Sequence, residues 1–283
     1  MPDMIRAPFH RIDYYRSVYE TLDPDGAERD ESFIQIKDLG RRFFVSQPKG
    51  ILTMRIVRYL MNVHIRPRSI YLSRHGESLA NKVGKLGGDS GLSPAGLQYA
   101  RALNVFMNEQ NISDLKVWTS SLKRTVQTSI YFLPSGVESF KALDELDTGE
   151  CDNLTNEEIR QKHPQVAEGR SANKFFYRYP RGESYRDVVE RLEPMIVELE
   201  RQDNVLVITH QAILRCLLSY FKNIPQDQLE EQLPYLEVPL HTVIKITPYN
   251  DGCRIEHFKL GPDAVNTHVG RRKPTSEPPK ADT

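Results

Sequence analysis

The sequence has 283 residues, a length that allows one large domain or one domain with an appendage. Lysine plus arginine balances aspartate plus glutamate at 38 each, so the overall charge favours neither a nucleic acid nor a membrane surface as partner. The longest apolar stretches fall short of the ~18 residues of a membrane span, and the N-terminus lacks the apolar core of a secretory signal.

The first 66 residues differ in pattern from the rest and are predicted to form an appendage. Residues 33–36 alternate as a strand does, and residues 51–63 have the periodicity of an amphipathic helix. A segment of this length is too short to be comfortably stable alone. Arg66-Pro67-Arg68 ends it, and a new pattern begins there.

From residue 67 onward, predicted strands and helices alternate. The strands are predicted at residues 69–73, 116–119, 204–209, 243–246 and 254–259. Helices are predicted at residues 94–110 with Ser93 as N-cap, after residue 122, at 183–202 with a kink at Pro194, and at 212–221. This alternation predicts an α/β fold of three layers, α/β/α, with a largely parallel central sheet over residues 67–260. The polar, basic residues 261–283 are predicted to be a disordered tail.

Two of the predicted strands lead into a histidine. Residues 69–73 precede Arg74-His75-Gly76-Glu77, and residues 204–209 precede His210. Ligands of open α/β sheets bind at the carboxyl ends of the strands, so both histidines are expected in one site. An arginine beside a neutral imidazole suits attack on a phosphoryl group, because the cation attracts phosphate and disfavours protonation of the imidazole.

The segment around the first histidine resembles the signature of the histidine phosphatase (phosphoglycerate-mutase-like) superfamily. More specifically, four segments resemble the bisphosphatase half of the 6-phosphofructo-2-kinase/fructose-2,6-bisphosphatase family: residues 69–78 (SIYLSRHGES), 87–93 (GGDSGLS), 179–185 (YPRGESY) and 239–243 (PLHTV). The resemblance runs from about residue 30 to about residue 269. Residues 1–66 resemble the end of that family's kinase half, but no G-x-x-x-x-G-K-[ST] motif occurs, so kinase activity is expected to be absent.

This resemblance implies hydrolysis of fructose 2,6-bisphosphate to fructose 6-phosphate and phosphate. His75 is expected to attack the 2-phosphoryl group and become a phosphohistidine. Arg74, Arg124 and His210 are expected to surround the transferring oxygens, where they would stabilise charge.

A carboxyl group must protonate the leaving oxygen of the sugar. Glu145 aligns with the acid of the family, while its neighbours Asp144 and Asp147 remain alternatives that spacing does not exclude.

The resemblance also implies a set of residues that bind substrate. These are Asn81 and the backbone of Gly87 at the phosphoryl group, Arg170, Lys174 and Tyr185 at the 6-phosphate, and Gln211 and Arg215 on the helix after His210. Asn156 stands where the family typically has a tyrosine contact, so weaker substrate binding is expected. Glu77 and His241 also match the family. Glu77 is expected to orient the Arg-His loop, while a structural and a catalytic role both remain open for His241.

No metal or other cofactor is implied. The three cysteines, Cys151, Cys216 and Cys253, lack metal-type spacing and favour reduced thiols in the cytoplasm. Two alternatives remain open: another histidine-phosphatase reaction, as a mutase or phosphomonoesterase, or a non-catalytic regulatory partner. The kinase-like appendage would support a homodimer or pairing with an intact bifunctional subunit. Neither a nucleic acid nor a membrane is expected as partner.

Overall fold

The computed structural model describes residues 14–38, 42–62, 68–249 and 252–268. Contacts between Cα atoms divide the chain into two compact units, Met1–Arg66 and Pro67–Thr283. Within the described ranges, no helix combines the length and the apolar character needed to cross a bilayer. Of the predicted disordered tail, residues 269–283 lie outside the described residues, as does Val63 at the end of the predicted N-terminal helix.

The N-terminal unit contains a small antiparallel sheet and one longer helix. Strand β1 (Phe33–Lys37) pairs with β2 (Arg42–Ser46), and helix α1 spans Gly50–Asn62. Residues 14–18 are also helical. The sequence predicts β1 and α1 but not β2, whose consecutive Phe43, Phe44 and Val45 do not alternate with polar residues.

The second unit is built on a six-stranded sheet. Its strands are β3 (Ser69–Arg74), β4 (Lys116–Thr119), β5 (Val137–Ser139), β6 (Asn204–Thr209), β7 (Thr242–Tyr249) and β8 (Gly252–Lys259), in the spatial order β5-β4-β6-β3-β7-β8. Strands β3, β4, β5 and β6 are mutually parallel, whereas β7 is antiparallel to both β3 and β8. The predicted largely parallel sheet is confirmed. The short β5 and the antiparallel edge formed by β7 and β8 were not predicted.

Helices cover both faces of this sheet. They are α2 (Leu79–Lys82), α3 (Pro94–Glu109), α4 (Lys123–Thr128), α5 (Asn156–Lys162), α6 (Pro164–Ala172), α7 (Tyr185–Arg201), α8 (Gln211–Phe221) and α9 (Gln226–Gln232). Shorter 3₁₀ turns lie at Ile130–Ser135, Lys141–Leu143, Gly149–Cys151 and Leu233–Tyr235. Ser93 caps α3 as predicted, accepting a hydrogen bond from Gly96 N. Pro194 lies inside α7.

Two hydrophobic cores lie on opposite faces of the sheet. Alternate residues of β6 divide between them: Val205 and Val207 join the core that contains α7 and α8, while Leu206 and Ile208 join the core that contains α3. All four side chains are fully buried, as expected of a central parallel strand covered on both faces. The predicted three-layer α/β/α fold is therefore confirmed, and it places the ends of β3 and β6 side by side.

Candidate active site

Residues 75–77 leave β3 as a loop whose three backbone amides are each held by a different element. The first amide donates to Thr209 O at the end of β6, the second to Thr128 Oγ1 at the end of α4, and the third to His241 Nε2 before β7, each over 2.9 Å. Every backbone donor of the loop is thus paired. The position of the histidine is consequently determined by three separate parts of the fold.

The loop also lies directly against the first turn of α3. A Cβ atom on Gly76 would come within 2.5 Å of Gly96 O, and a Cβ atom on Gly96 would come within 2.2 Å of Glu77 O. These distances are too short for any side chain, so the close approach requires glycine at both positions.

His75 is buried and is poised as a neutral imidazole. Its Nδ1 donates to Gly76 O over 2.7 Å, which leaves the lone pair on Nε2. Burial lowers the pKa of His75 well below its usual range, and the positive charges of Arg124 and Arg74 lower it further. A neutral ring with a free lone pair on Nε2 is the state that a nucleophile needs.

His210 lies next to His75, with 5.1 Å between the ring centroids. Its Nδ1 accepts from Arg124 Nε over 3.2 Å, so the proton lies on Nε2, which faces Ser120 Oγ at 2.7 Å. Burial, followed by the charge of Arg124, lowers its pKa well below the usual range. Both ring nitrogens are therefore engaged, and His210 orients Arg124. The expected contact with phosphoryl oxygens would require Nε2 to leave Ser120.

The two arginines beside His75 are anchored at one end. Arg74 Nη1 donates to Val238 O over 3.0 Å and to Thr267 Oγ1 over 2.8 Å. Its buried Nε has no hydrogen-bond partner among the described residues. Arg124 Nη1 donates to Gly88 O over 2.6 Å, which ties it to the glycine-rich loop. Burial lowers the pKa of Arg74 to about 10, so this guanidinium stays charged at neutral pH.

The side chain of Glu145 lies at the N-terminus of α8, the helix that begins immediately after His210. Its Oε2 accepts from Gln211 N over 3.1 Å, and its Oε1 accepts from Ala212 N over 3.0 Å. These amides belong to the first turn of the helix, where no helical carbonyl accepts from them, so the position suits a carboxylate. Burial lowers the pKa values of Arg74 and Arg124, and the charge of Glu145 partly offsets this lowering, so the carboxylate lies close to both arginines.

The two alternative carboxylates have other partners. Asp144 Oδ1 and Oδ2 accept from Ser121 Oγ over 2.8 and 2.7 Å, and Asp147 Oδ1 accepts from Gly149 N over 2.8 Å. Their oxygens therefore stabilise turns, whereas Glu145 binds the first turn of α8 beside Arg74 and Arg124.

Two residues that the sequence analysis did not single out hold the segment before Glu145. Thr209 Oγ1 donates to Leu143 O over 2.6 Å, and Arg191 of α7 donates to the carbonyl oxygens of Ala142 and Asp144. Arg191 also pairs with Glu183 over 2.7 Å. Neither residue lies in a motif, so only the three-dimensional structure reveals their role.

A second group of basic side chains lies near the first two arginines. Arg215 Nη1 donates to Tyr185 Oη over 2.8 Å, and the charge of Arg215 is one of those that lower the pKa of Arg74. Lys174 Nζ donates to Pro234 O over 2.8 Å. Burial, followed by the charges of Arg215 and Arg170, lowers the pKa of Lys174 to about 6.

Three buried polar atoms in or beside this second group have no hydrogen-bond partner in the described part of the chain: Arg215 Nη2, Gln211 Nε2 and Tyr179 Oη. Buried polar atoms are nearly always paired in native proteins. Such unpaired donors beside clustered positive charge suit an anionic, hydroxyl-bearing ligand.

The remaining predicted binding residues occupy loops and helix starts. Gly87 has φ of +65°, a backbone conformation that favours glycine, and a Cβ atom there would lie 1.7 Å from Asp152 Oδ1. Asn81 Oδ1 accepts from Ser78 N over 3.0 Å and caps α2. Asn156 is the exposed first residue of α5.

Glu77 and His241 support the histidine loop. Glu77 accepts from Ser93 Oγ over 2.6 Å and from Val265 N over 3.1 Å. The ring of His241 stacks on that of Tyr99, with 4.6 Å between centroids and 6° between planes. Both residues orient the loop through these contacts.

Comparisons with known proteins agree with this geometry. The family model of the histidine phosphatase superfamily (branch 1) matches residues 70–260, and that of 6-phosphofructo-2-kinase matches residues 5–67. The chain is 54% identical over 261 residues to 6-phosphofructo-2-kinase/fructose-2,6-bisphosphatase 3 of Rattus norvegicus, covering 92% of this chain and 46% of the relative. For 6-phosphofructo-2-kinase/fructose-2,6-bisphosphatase 4 of Homo sapiens, the identity is 52% over 261 residues, covering 92% and 54%.

This chain therefore spans about half the length of these curated relatives. Among solved structures, the alpha-ribazole phosphatase from Shigella flexneri has the same fold, with a TM-score of 0.58 and 21% identity. The match covers 72% of this chain and 100% of that one.

Proposed function

We propose a function from one premise: this chain belongs to the histidine phosphatase superfamily, branch 1. The proposed reaction is hydrolysis of fructose 2,6-bisphosphate to fructose 6-phosphate and inorganic phosphate. The substrate is suggested by the similarity to the fructose-2,6-bisphosphatase-bearing relatives. The sequence contains no P-loop motif, so we assign these residues no kinase activity of their own.

The observation that carries the proposal is the neutral, buried His75 with its Nε2 lone pair, flanked by charged Arg74 and Arg124. In the proposed first step, Nε2 attacks phosphorus, the bond from phosphorus to the sugar 2-oxygen breaks, and Glu145 in its protonated form gives that oxygen a proton and becomes a carboxylate. In the second step, water attacks phosphorus, the bond from phosphorus to Nε2 breaks, and Glu145 takes a proton from the water, which restores its protonated form. The arginines stabilise the charge on the transferring oxygens in both steps.

A simple phosphate ester has one phosphate, whereas the proposed substrate has a second phosphate that a second group of basic side chains would bind. Arg170, Lys174 and Arg215 are close enough for the charges of the two arginines to lower the pKa of Lys174. We propose that they bind the 6-phosphate, together with Tyr185 and Gln211. A substrate with two phosphates would then bridge both groups of cations.

The direct test uses fructose 2,6-bisphosphate labelled at the 2-phosphate. We expect released phosphate and a transient, acid-labile label on the protein. Cleavage of simple phosphate esters without preference for the bisphosphate would instead indicate a general phosphomonoesterase. If folded protein shows no release of phosphate and no labelling, the result would favour a non-catalytic regulatory partner.

Substrate binding is expected to weaken as the pH rises from 7 to 8.5. Over this range Lys174 is mainly neutral in the free protein, and a bound phosphate dianion would favour its charged form. Binding then takes up a proton, so KM should rise by up to about tenfold per pH unit. Lys174→Arg, which keeps its charge, is the matched control and should show a flat KM. A flat KM in both proteins would show that Lys174 takes up no proton when the substrate binds.

Asn156→Tyr is expected to tighten substrate binding. Asn156 is exposed at the start of α5, so a larger side chain there is accommodated without disturbing the core. One additional hydrogen bond should lower KM by about fivefold. Asn156→Phe, which lacks the hydroxyl, is the control. If both variants lower KM equally, the gain comes from apolar contact and not from the phenol.

The N-terminal unit suggests a partner. Residues 5–67 match the 6-phosphofructo-2-kinase family, and α1 exposes Ile51, Leu52 and Tyr59. We propose that this unit pairs with a second copy or with a kinase-bearing subunit, which the particle mass in solution would test. Cys151, Cys216 and Cys253 form no disulfide, in keeping with a proposed cytoplasmic location.

A further inference from the structure

The chain after β8 returns to the histidine loop. Residues 261–268, here called the C-terminal segment, begin after Leu260, whose amide donates to His241 O over 2.8 Å. Pro262 O then accepts from His241 Nδ1 over 2.6 Å, and Val265 N donates to Glu77 Oε2 over 3.1 Å. The C-terminal segment is therefore joined to the two residues that support the loop.

The last contact of the C-terminal segment reaches an arginine of the proposed phosphoryl site. Thr267 Oγ1 accepts from Arg74 Nη1 over 2.8 Å, and Val238 O accepts from the same nitrogen over 3.0 Å. Hydrogen bonds from a charged donor are stronger than neutral ones, and two acceptors on one nitrogen restrict rotation of the guanidinium plane. Because Arg74 Nη1 is held, its buried Nε, without a partner among the described residues, faces a fixed direction.

We propose that Thr267 is a positioning residue, which sets the orientation of Arg74 toward the transferring phosphoryl group. The inference rests on the proposed function, and it adds a residue that belongs to none of the recognised motifs. Catalytic groups must be held close to their productive geometry, because a displacement of about 1 Å can cost up to about a hundredfold in rate. Thr267 acts through Arg74 and does not itself touch the reacting atoms.

The test compares Thr267→Val, which removes the hydroxyl at nearly constant shape, with Thr267→Ser, which keeps it. In Thr267→Val, kcat should fall about tenfold, equivalent to roughly 1.4 kcal/mol, while KM changes less than threefold. Thr267→Ser should restore most of this loss. A fall in kcat that serine does not rescue, or unchanged kcat in Thr267→Val, would overturn the proposal.

A double-mutant cycle with Arg74→Ala tests the route of the effect. If Thr267 acts through Arg74, Thr267→Val should change the rate of phosphoenzyme formation less than twofold in the Arg74→Ala background. An undiminished tenfold effect in that background would show that Thr267 acts elsewhere.

Failure of this inference can be distinguished from failure of the proposed function. If fructose 2,6-bisphosphate is not cleaved, the same comparison is made with 4-nitrophenyl phosphate, whose transferring phosphoryl group would meet the same Arg74. If no ester is cleaved, binding of inorganic phosphate replaces the kinetic readout, and Thr267→Val should weaken it about threefold, as expected for part of one charged hydrogen bond. Where no ester is cleaved, equal phosphate affinity in Thr267→Val and the unmodified chain would reject the role of Thr267.

Discussion

His75→Ala is expected to abolish the phosphoenzyme and to lower turnover of fructose 2,6-bisphosphate by roughly a thousandfold or more. In the proposed path, the imidazole of His75 supplies the Nε2 lone pair that attacks phosphorus, and this ring is flanked by Arg74 and Arg124. Without it, the arginines can still bind the phosphate, so substrate affinity should change much less than turnover. The measurement is acid-labile label on the protein, together with released phosphate, in single-turnover experiments.

A surface histidine provides the matched control. His257 is exposed on strand β8, so His257→Ala should retain both labelling and turnover. Thermal unfolding of both variants would show whether the fold survives, because the loss of the Nδ1 bond to Gly76 removes one local contact. Persistent label on His75→Ala would transfer the nucleophile to another residue, for which His210 is the nearest candidate.

Glu145→Gln should slow turnover of the bisphosphate by about a hundredfold to ten-thousandfold, with little change in substrate affinity. The glutamine carbonyl can still accept from an amide of α8, so the side chain should keep its place. What it loses is the proton for the leaving sugar oxygen. The separation of kcat from KM is therefore the signature of a proton donor.

The leaving group offers a sharper test of the same residue. 4-Nitrophenolate is a good leaving group without protonation, so phosphoenzyme formation from 4-nitrophenyl phosphate should be much less sensitive to Glu145→Gln. Asp144→Asn and Asp147→Asn are the controls, since each keeps an oxygen acceptor for its turn. If one of these controls shows the large loss instead, the acid is that neighbouring carboxylate.

The sequence predicts most of the fold because its signals are local. The apolar runs before His75 and His210 mark central strands, and Ser93-Pro94 marks the start of α3. The missed elements have weak local signals. Strand β5 has only three residues, and the antiparallel pairing of β7 with β3 depends on the path of the chain and not on residue pattern.

The candidate site divides in the same way. Arg74, His75 and His210 follow strands in recognisable segments, and the resemblance supplies the roles expected of them. Ser120 and Thr267 are ordinary hydroxyl residues that matter only because folding brings them to His210 and Arg74. The choice among the three neighbouring carboxylates likewise depends on tertiary contacts. Their positions along the chain do not show which of them stabilises a turn and which protonates the substrate.

The paired glycines beneath the histidine loop have a consequence for how this protein can vary. When a substitution makes a core side chain too large, a second substitution that makes a neighbouring side chain smaller can often restore the packing. At Gly76 and Gly96 the obstructing neighbours are backbone atoms of residues 77 and 96, which no substitution can make smaller. When a substitution at either glycine removes activity, no second substitution nearby should therefore restore it. Reversion to glycine would be the main way to recover activity.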